Sequence, residues 1–272
     1  MNELSSAAGD IFIKNSFWGA ILLAEEGKER ANNMAMEITR SRQSVYLLRA
    51  ERTINHRLYL AAKRVLDFVI AAIFLALVAP VMLLVALAIR LDSPGPVIFR
   101  QKRVKGLSAD GNPIPFTFYK FRSMAHRADA AVHQKFMTDF INGNGKLHKD
   151  GNGKAVYKLS SDRRVTRVGR ILRKTSLDEL PQLINVIKGD MSMVGPRPAI
   201  PYEVEQYKEW HKRRLVVTPG ITGLWQVKGR SSVTFDEMVR WDIEYAEDRS
   251  LGMDISILLQ TIPAVLSGKG AA

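Results

Sequence analysis

One apolar run constrains this chain more than any other feature. Residues Val65 to Ile89, VLDFVIAAIFLALVAPVMLLVALAI, are twenty-five residues with a single charge, Asp67. A straight helix of that length measures roughly 37 Å, against the ~30 Å that a bilayer's hydrocarbon core requires. Length and the near-absence of polar positions set it apart from the core helix of a soluble domain. The mean hydropathy of the whole chain is only -0.08, which excludes a protein built of many spans. The sequence therefore reads as one membrane segment attached to an otherwise soluble chain.

Pro80 stands near the middle of the run, where it removes a backbone hydrogen bond and crowds the preceding turn. Lys63 and Arg64 precede the run; Arg90, Arg100, Lys102, Arg103 and Lys105 follow it. A simple span places its basic flank on one side only. Two topologies follow: a kinked span, or a re-entrant helix–break–helix hairpin with both ends on the cytoplasmic side. The two basic flanks favour the hairpin, entered from an N-terminal extension over residues 1–60. Within that extension SFWGAILLA (16–24) is too short and too poorly flanked for a signal peptide, since Glu3 and Asp10 spoil a basic leader.

The rest of the chain, residues 92–272, has the length and apolar content for a core of its own. Forty Lys and Arg against twenty-seven Asp and Glu give a net charge of +13, which calls for an anionic partner: nucleic acid, a membrane surface or a phosphorylated substrate. Cysteine is absent, so disulfides and thiolate metal sites are excluded. VIFRQKRV (97–104) and FTFYKFRSM (116–124) read as two strands around the turn ADGNP. NGNGKLHKDGNGK (142–154) reads as a polar loop that fits neither phosphate-loop nor calcium-loop spacing. Residues 163–188 read as helical with a break near Ser176, residues 202–215 and 234–247 as amphipathic helices, and 254–266 as a final apolar helix. The expected fold is α+β: a mainly helical catalytic domain with a small β-hairpin, anchored by the re-entrant membrane helix over 61–91. No HExxH, GxSxG, GxGxxG or Asp-x-Asp occurs, which argues against zincins, α/β-hydrolases, dinucleotide-binding folds and one large class of glycosyltransferases.

Chemistry concentrates in RILRKTSLDELPQLINVIKGDMSMVGPRP, Arg170 to Pro198. Asp178 and Glu179 are adjacent carboxylates after a basic stretch. Ser176-x-x-Glu179 also has the form of a capping box, and Asp178 is an alternative cap, so helix capping competes with chemistry here. Either arrangement places both acids at a helix start, where the dipole and neighbouring cations favour ionised forms. Such carboxylates suit metal ligation or nucleophilic attack at phosphorus. Gly195-Pro-Arg-Pro198 restrains one arginine between two prolines, which suits either bidentate phosphate recognition or a tight turn. In TPGITGLWQVKGR (218–230), Gly220, Gly223 and Gly229 allow close backbone approach.

KRVLDF (63–68), YKFRSM (119–124), LRKTSLDELPQLINVIKGDMSMVGPRP (172–198) and PGITGLWQVKGR (219–230) together resemble bacterial sugar transferases. These are the monotopic phosphoglycosyl transferases that begin exopolysaccharide and glycan assembly. The resemblance covers roughly residues 60–270, looks like the short form without an additional transmembrane bundle, and at TIPAVLSGKG is similar to succinoglycan-type members. It implies transfer of a hexose-1-phosphate from a UDP-sugar to polyprenyl phosphate, usually undecaprenyl phosphate, with release of UMP. Asp178 would be the nucleophile, forming a phosphosugar-aspartyl intermediate. Glu179, with Asp178, would hold Mg2+. Arg173, Arg197, Lys120 and Arg122 would contact phosphate. Gly220, Thr222, Gly223, Gln226, Gly229 and Arg230 would line the nucleotide-sugar pocket. The implied setting is the cytoplasmic face of the inner membrane, with anionic lipid under the basic surface around 100–122 and downstream glycosyltransferases as partners. Nucleic acid is not expected, because aromatics are not interleaved with the cations. A glycosyltransferase releasing UDP, and a non-catalytic basic scaffold, are the alternatives.

Overall fold

The computed structural model of the chain describes residues 54–126, 128–129, 131–145, 148–149, 155–157, 162–229 and 232–266. The expected extension over 1–60 falls almost wholly outside these residues, as do Arg230 and the middle of the 142–154 loop. The described part is α+β and mostly helical. It opens with α1 (Ile54–Asp92) and the hairpin strands β1 (Ile98–Leu107) and β2 (Pro113–Phe121). Next come α2 (Ala131–Ile141) and a two-residue ladder, β3 (His148–Lys149) with β4 (Ala155–Val156). α3 (Arg167–Thr175), a 3-10 turn (Leu177–Glu179), α4 (Gln182–Lys188) and β5 (Ser192–Val194) follow. The chain continues through α5 (Pro201–Glu205), a longer 3-10 segment (Glu209–Val216), β6 (Gly220–Thr222) and α6 (Leu224–Lys228) to α7 (Phe235–Asp248) and α8 (Leu251–Leu266).

The apolar run starts earlier than expected and is not broken: one helix continues through Pro80. A proline removes one hydrogen bond but does not end a helix held on both sides of it, and Val78 and Met82 both pack on the soluble body. One stripe of α1 is buried, comprising Lys63, Asp67, Ala71, Val85 and Ile89. The opposite face leaves Val65, Phe68, Ile73, Leu77, Leu84 and Leu87 exposed, an apolar surface beyond what a soluble protein leaves uncovered. Both ends of α1 dock on the same body. In its N-terminal third Arg64 donates from Nη1 to Val186 O at 2.6 Å and from Nη2 to Ile187 O at 2.8 Å, carbonyls of the last turn of α4. At its end Asp92 Oδ2 accepts from Val168 N at 3.3 Å.

The hairpin forms as expected, with Arg103 opposite Phe116 and an irregularity between Val104 and Gly106. Phe116 and Phe118 of β2 face the core in the alternation its sequence prescribes, and Phe121, out of phase at the strand's end, is buried in the cluster with Val85, Ile89 and Leu172. Asn185 fixes α4 to β2. Its Nδ2 donates to Thr117 O at 2.7 Å and its Oδ1 accepts from Tyr119 N at 3.1 Å, with the residue fully buried. The break near Ser176 is also real. Thr166 caps α3 by accepting from Gly169 N at 3.0 Å, and Ser176 ends it at φ 58°, a left-handed conformation uncommon outside glycine.

Sequence periodicity does not reveal the parallel pairing of β5 with β6, in which Ser192 opposes Gly220 and Val194 opposes Thr222. The pairing joins the two glycine- and proline-rich motifs side by side. Gly195 N donates to Thr222 O and Gly220 N to Pro196 O, both at 2.9 Å. A Cβ on Gly220 would lie 2.1 Å from Gly195 N, so the residue is glycine because two backbones meet there.

Candidate active site

Asp178 and Glu179 sit in the 3-10 turn between α3 and α4. Neither caps a helix: Ser176 makes no side-chain cap hydrogen bond, and the cap position of α4 is Pro181. The capping reading therefore lacks its hydrogen bonds. Asp178 is 2% exposed, and its Oδ2 lies 2.6 Å from Lys120 Nζ. Lys120 reaches Glu179 Oε1 at 3.9 Å. The Asn185 clamp explains the meeting, because it sets β2 against α4 and so brings Lys120 over the acidic turn.

Burial raises the pKa of Asp178 above the ordinary aspartate range; Lys120 opposes the rise and Glu179 adds to it. This reverses the expectation from dipole and cations alone. Removing water from the carboxylate outweighs the field of its neighbours. Arg173 faces the same carboxylate electrostatically and is itself lowered by burial. Its Nε donates to Ser123 Oγ at 3.0 Å.

A narrow cleft beside the turn is lined by Arg103, Phe118, Glu179, Gln182, Arg197, Gly220 and Gln226, among others. It gathers Glu179, Arg197, Gly220 and Gln226 from three separate motifs. Arg197 is exposed between buried Pro196 and Pro198, and no group among the described residues hydrogen-bonds its guanidinium. A guanidinium held this way is available to an anion. A wider groove bordered by Trp210, Arg213, Arg240 and Glu247 contains none of these groups.

Other expected site residues have different surroundings. Arg122 is 5% exposed, and its guanidinium donates to Pro94 O and Ser93 O, both at 2.6 Å, to Ser93 Oγ at 3.0 Å and to Ile89 O at 3.4 Å. It closes the C-terminal end of α1, where orphan carbonyls need donors, and has no reach left for phosphate. The Thr222 hydroxyl bonds that of Thr261 on α8 at 2.8 Å. A Cβ on Gly223 would meet Gly195 O at 2.4 Å, and one on Gly229 would strike the Trp241 ring. The close approaches at these glycines are to the protein itself. Arg230 lies outside the described residues.

Two residues, Arg103 in the cleft and His133 outside its lining, escape a reading by motif. Arg103 is buried, donates from Nη1 to Pro198 O at 2.7 Å and lies over the Phe118 ring at 5.1 Å. Burial, and then Arg197, bring it down to about 10, so it stays cationic at neutral pH. His133 on α2 shares a hydrogen bond with Tyr202 Oη at 2.8 Å. Burial, followed by Arg197, Arg103, Arg164 and Arg173, lowers His133 to about 4. Burial is the larger cause of its neutrality, and the four arginines add to it. The signal for α2 was Val132, Phe136 and Phe140 at helical spacing.

The chain is 40% identical over 227 residues to undecaprenyl-phosphate galactose phosphotransferase of Salmonella typhimurium, covering 84% of this chain and 45% of that protein. To exopolysaccharide production protein ExoY of Rhizobium meliloti it is 36% identical over 235 residues, 86% of this chain and 98% of that one. To the UDP-glucose:undecaprenyl-phosphate glucose-1-phosphate transferase of Caulobacter vibrioides it is 42% identical over 217 residues, 77% and 71% of the two chains. It thus spans less than half of the Salmonella protein and nearly all of the Rhizobium one. Residues 58–268, which include the acidic turn, the cleft and most of α1, match the bacterial sugar transferase profile, and the chain belongs to that family.

Proposed function

We propose that this chain transfers a hexose-1-phosphate from a UDP-sugar to polyprenyl phosphate, with undecaprenyl phosphate as the carrier, and releases UMP. The observation that carries the reading is the buried Asp178 carboxylate, relieved of capping, paired with Lys120 and set beside a cleft edged by Glu179 and Arg197. The relatives named for undecaprenyl-phosphate galactose and glucose-1-phosphate transfer support the substrate classes.

An Asp178 oxygen attacks the β-phosphorus. The bond from that phosphorus to the bridging oxygen breaks, and UMP leaves with the oxygen and its electron pair. An oxygen of the lipid phosphate then attacks the same phosphorus, displaces Asp178 and leaves a polyprenyl diphosphate-linked hexose. Lys120 keeps Asp178 ionised in a dry site. Arg197 and Arg173 hold phosphate oxygens in line. Glu179 is suited to Mg2+: its side chain is partly open, and its ion pair with Lys120, at 3.9 Å, is loose. Among the described residues no three acidic or imidazole groups converge, which fits an ion held by one or two carboxylates, Glu179 and Asp178, together with substrate phosphates. The bound ion supplies neutralisation of phosphate charge.

We place the chain at the inner membrane with its catalytic part on the cytoplasmic face. The exposed apolar face of α1 supports membrane association, and the two basic flanks support ends that lie on the same side. Exposed Arg100, Lys102 and Lys105 suit anionic headgroups, and the lipid-linked product passes to downstream glycosyltransferases. The released nucleotide tests the reaction. UMP is expected as each lipid-linked sugar forms; UDP would mean transfer of the sugar without its phosphate and would sink the proposal.

A further inference from the structure

Gln182 is 3% exposed and lines the cleft, yet no described residue hydrogen-bonds its amide. Unused by the described residues, the donor and acceptor of this amide are open to a ligand in the cleft. Its surroundings sharpen the question. The cations at this end of the cleft, Arg103 and Arg197, donate and cannot accept. An amide adds an acceptor beside them as well as a donor. Phosphate needs no acceptor from the protein; a hydroxyl does. Across the cleft, Gln226 repeats the pattern: its Nε2 donates to Ile221 O at 3.2 Å, while its Oε1 is buried without a partner.

Position decides which hydroxyl. Gln182 follows Glu179 by three residues, a spacing that puts neighbouring side chains on one helical face, and both line the cleft. Glu179 is adjacent to Asp178, which in the proposed reaction meets the β-phosphorus. The hexose hangs from that phosphorus, whereas the ribose is a further phosphate away.

We infer that Gln182 reads the transferred sugar, its amide hydrogen-bonding a hexose hydroxyl and so setting the affinity for the sugar separately from that for the nucleotide. The inference rests on the proposed function. Gln182→Met keeps length and volume, and Gln182→Leu guards against an effect peculiar to one replacement; unfolding temperatures should match the parent. Binding is measured on the full chain carrying Asp178→Asn, so that bound nucleotide sugar is not consumed. Against that parent, each Gln182 variant should bind UDP-glucose or UDP-galactose, whichever the parent prefers, about 10-fold more weakly or worse. UDP should bind within about 2-fold, a difference too small to need a lost hydrogen bond. Among singly deoxygenated UDP-hexoses, one should bind the parent poorly and lose nothing further on Gln182→Met. Equal weakening of UDP and UDP-hexose would move the contact to the nucleotide and overturn the inference. Unchanged binding of both would make the amide structural and overturn it too. A parent that binds UDP but no UDP-hexose would refute the proposed function itself, a result distinct from either.

Discussion

Two lysines in this molecule, buried Lys63 and half-buried Lys120, each face two carboxylates, and the carboxylates differ in one respect. Lys63 donates to Asp254 Oδ2 at 3.0 Å and lies 3.8 Å from Asp67. There the carboxylates are fully occupied. Asp254 also accepts from Tyr245 Oη at 2.6 Å and Tyr59 Oη at 3.1 Å, and Asp67 accepts from Met193 N at 3.0 Å. Lys120 faces Asp178 and Glu179, whose carboxylates have no such ring of donors among the described residues. The first cluster ties α1, α7, α8 and β5 into one body. The second has ion pairing without hydrogen-bond saturation, leaving lone pairs for a substrate. Saturation, more than burial or charge, separates the structural cluster from the chemical one.

The comparison breaks most visibly at Asp178. Asp178→Asn should lower turnover on the order of 10^4-fold, about 5 kcal/mol in transition-state stabilisation. Folding should not suffer. A carboxyl raised by burial binds its proton more tightly in the folded chain than in the unfolded one, so stability falls as pH rises through that interval. Asn removes the burden, and at neutral pH its unfolding temperature should equal or exceed the parent's. Asp254→Ala should do the reverse, losing about 3–5 kcal/mol in denaturant unfolding because Lys63 is left buried without its main partner. Activity per folded molecule should change far less. A smaller effect distinguishes the role of Lys120. Asp178 must be ionised to attack, so the rate should decline as pH falls through its raised pKa. Lys120→Met removes the nearest cation favouring that ionised form, so the acid limb of kcat/KM should move to higher pH. An unmoved limb would mean that another group controls it.

Much of the fold was legible because its punctuation is local. Ser176 interrupts the helical stretch, the hairpin alternates about ADGNP, and Thr234 opens α7 by accepting from Glu237 N at 3.3 Å. What sequence hides is pairing at a distance. Lys120 and Arg122 stand two apart in one motif, yet one meets Asp178 and the other closes the end of α1. No spacing rule separates them, since the carbonyls of Ser93 and Pro94 arrive from another part of the chain. The glycines of 220–229 read as room for a ligand, but the partner backbone at Gly195 becomes visible only through the β5–β6 pairing. Gln182 lay inside the most informative motif and was eclipsed by its charged neighbours. Position three residues after Glu179 was its one sequence signal.

The most direct measurement asks whether label rests on the protein between the two half-reactions. UDP-hexose carrying radiolabel in its β-phosphate is given to the full chain in lipid, first without polyprenyl phosphate and then with it. Label should remain on the protein in about one equivalent, as a single covalent site requires, chase into lipid when acceptor is added, and be absent from Asp178→Asn. If no quench traps labelled protein and Asp178→Asn keeps substantial turnover, the lipid phosphate attacks the nucleotide sugar directly and the covalent account is contradicted.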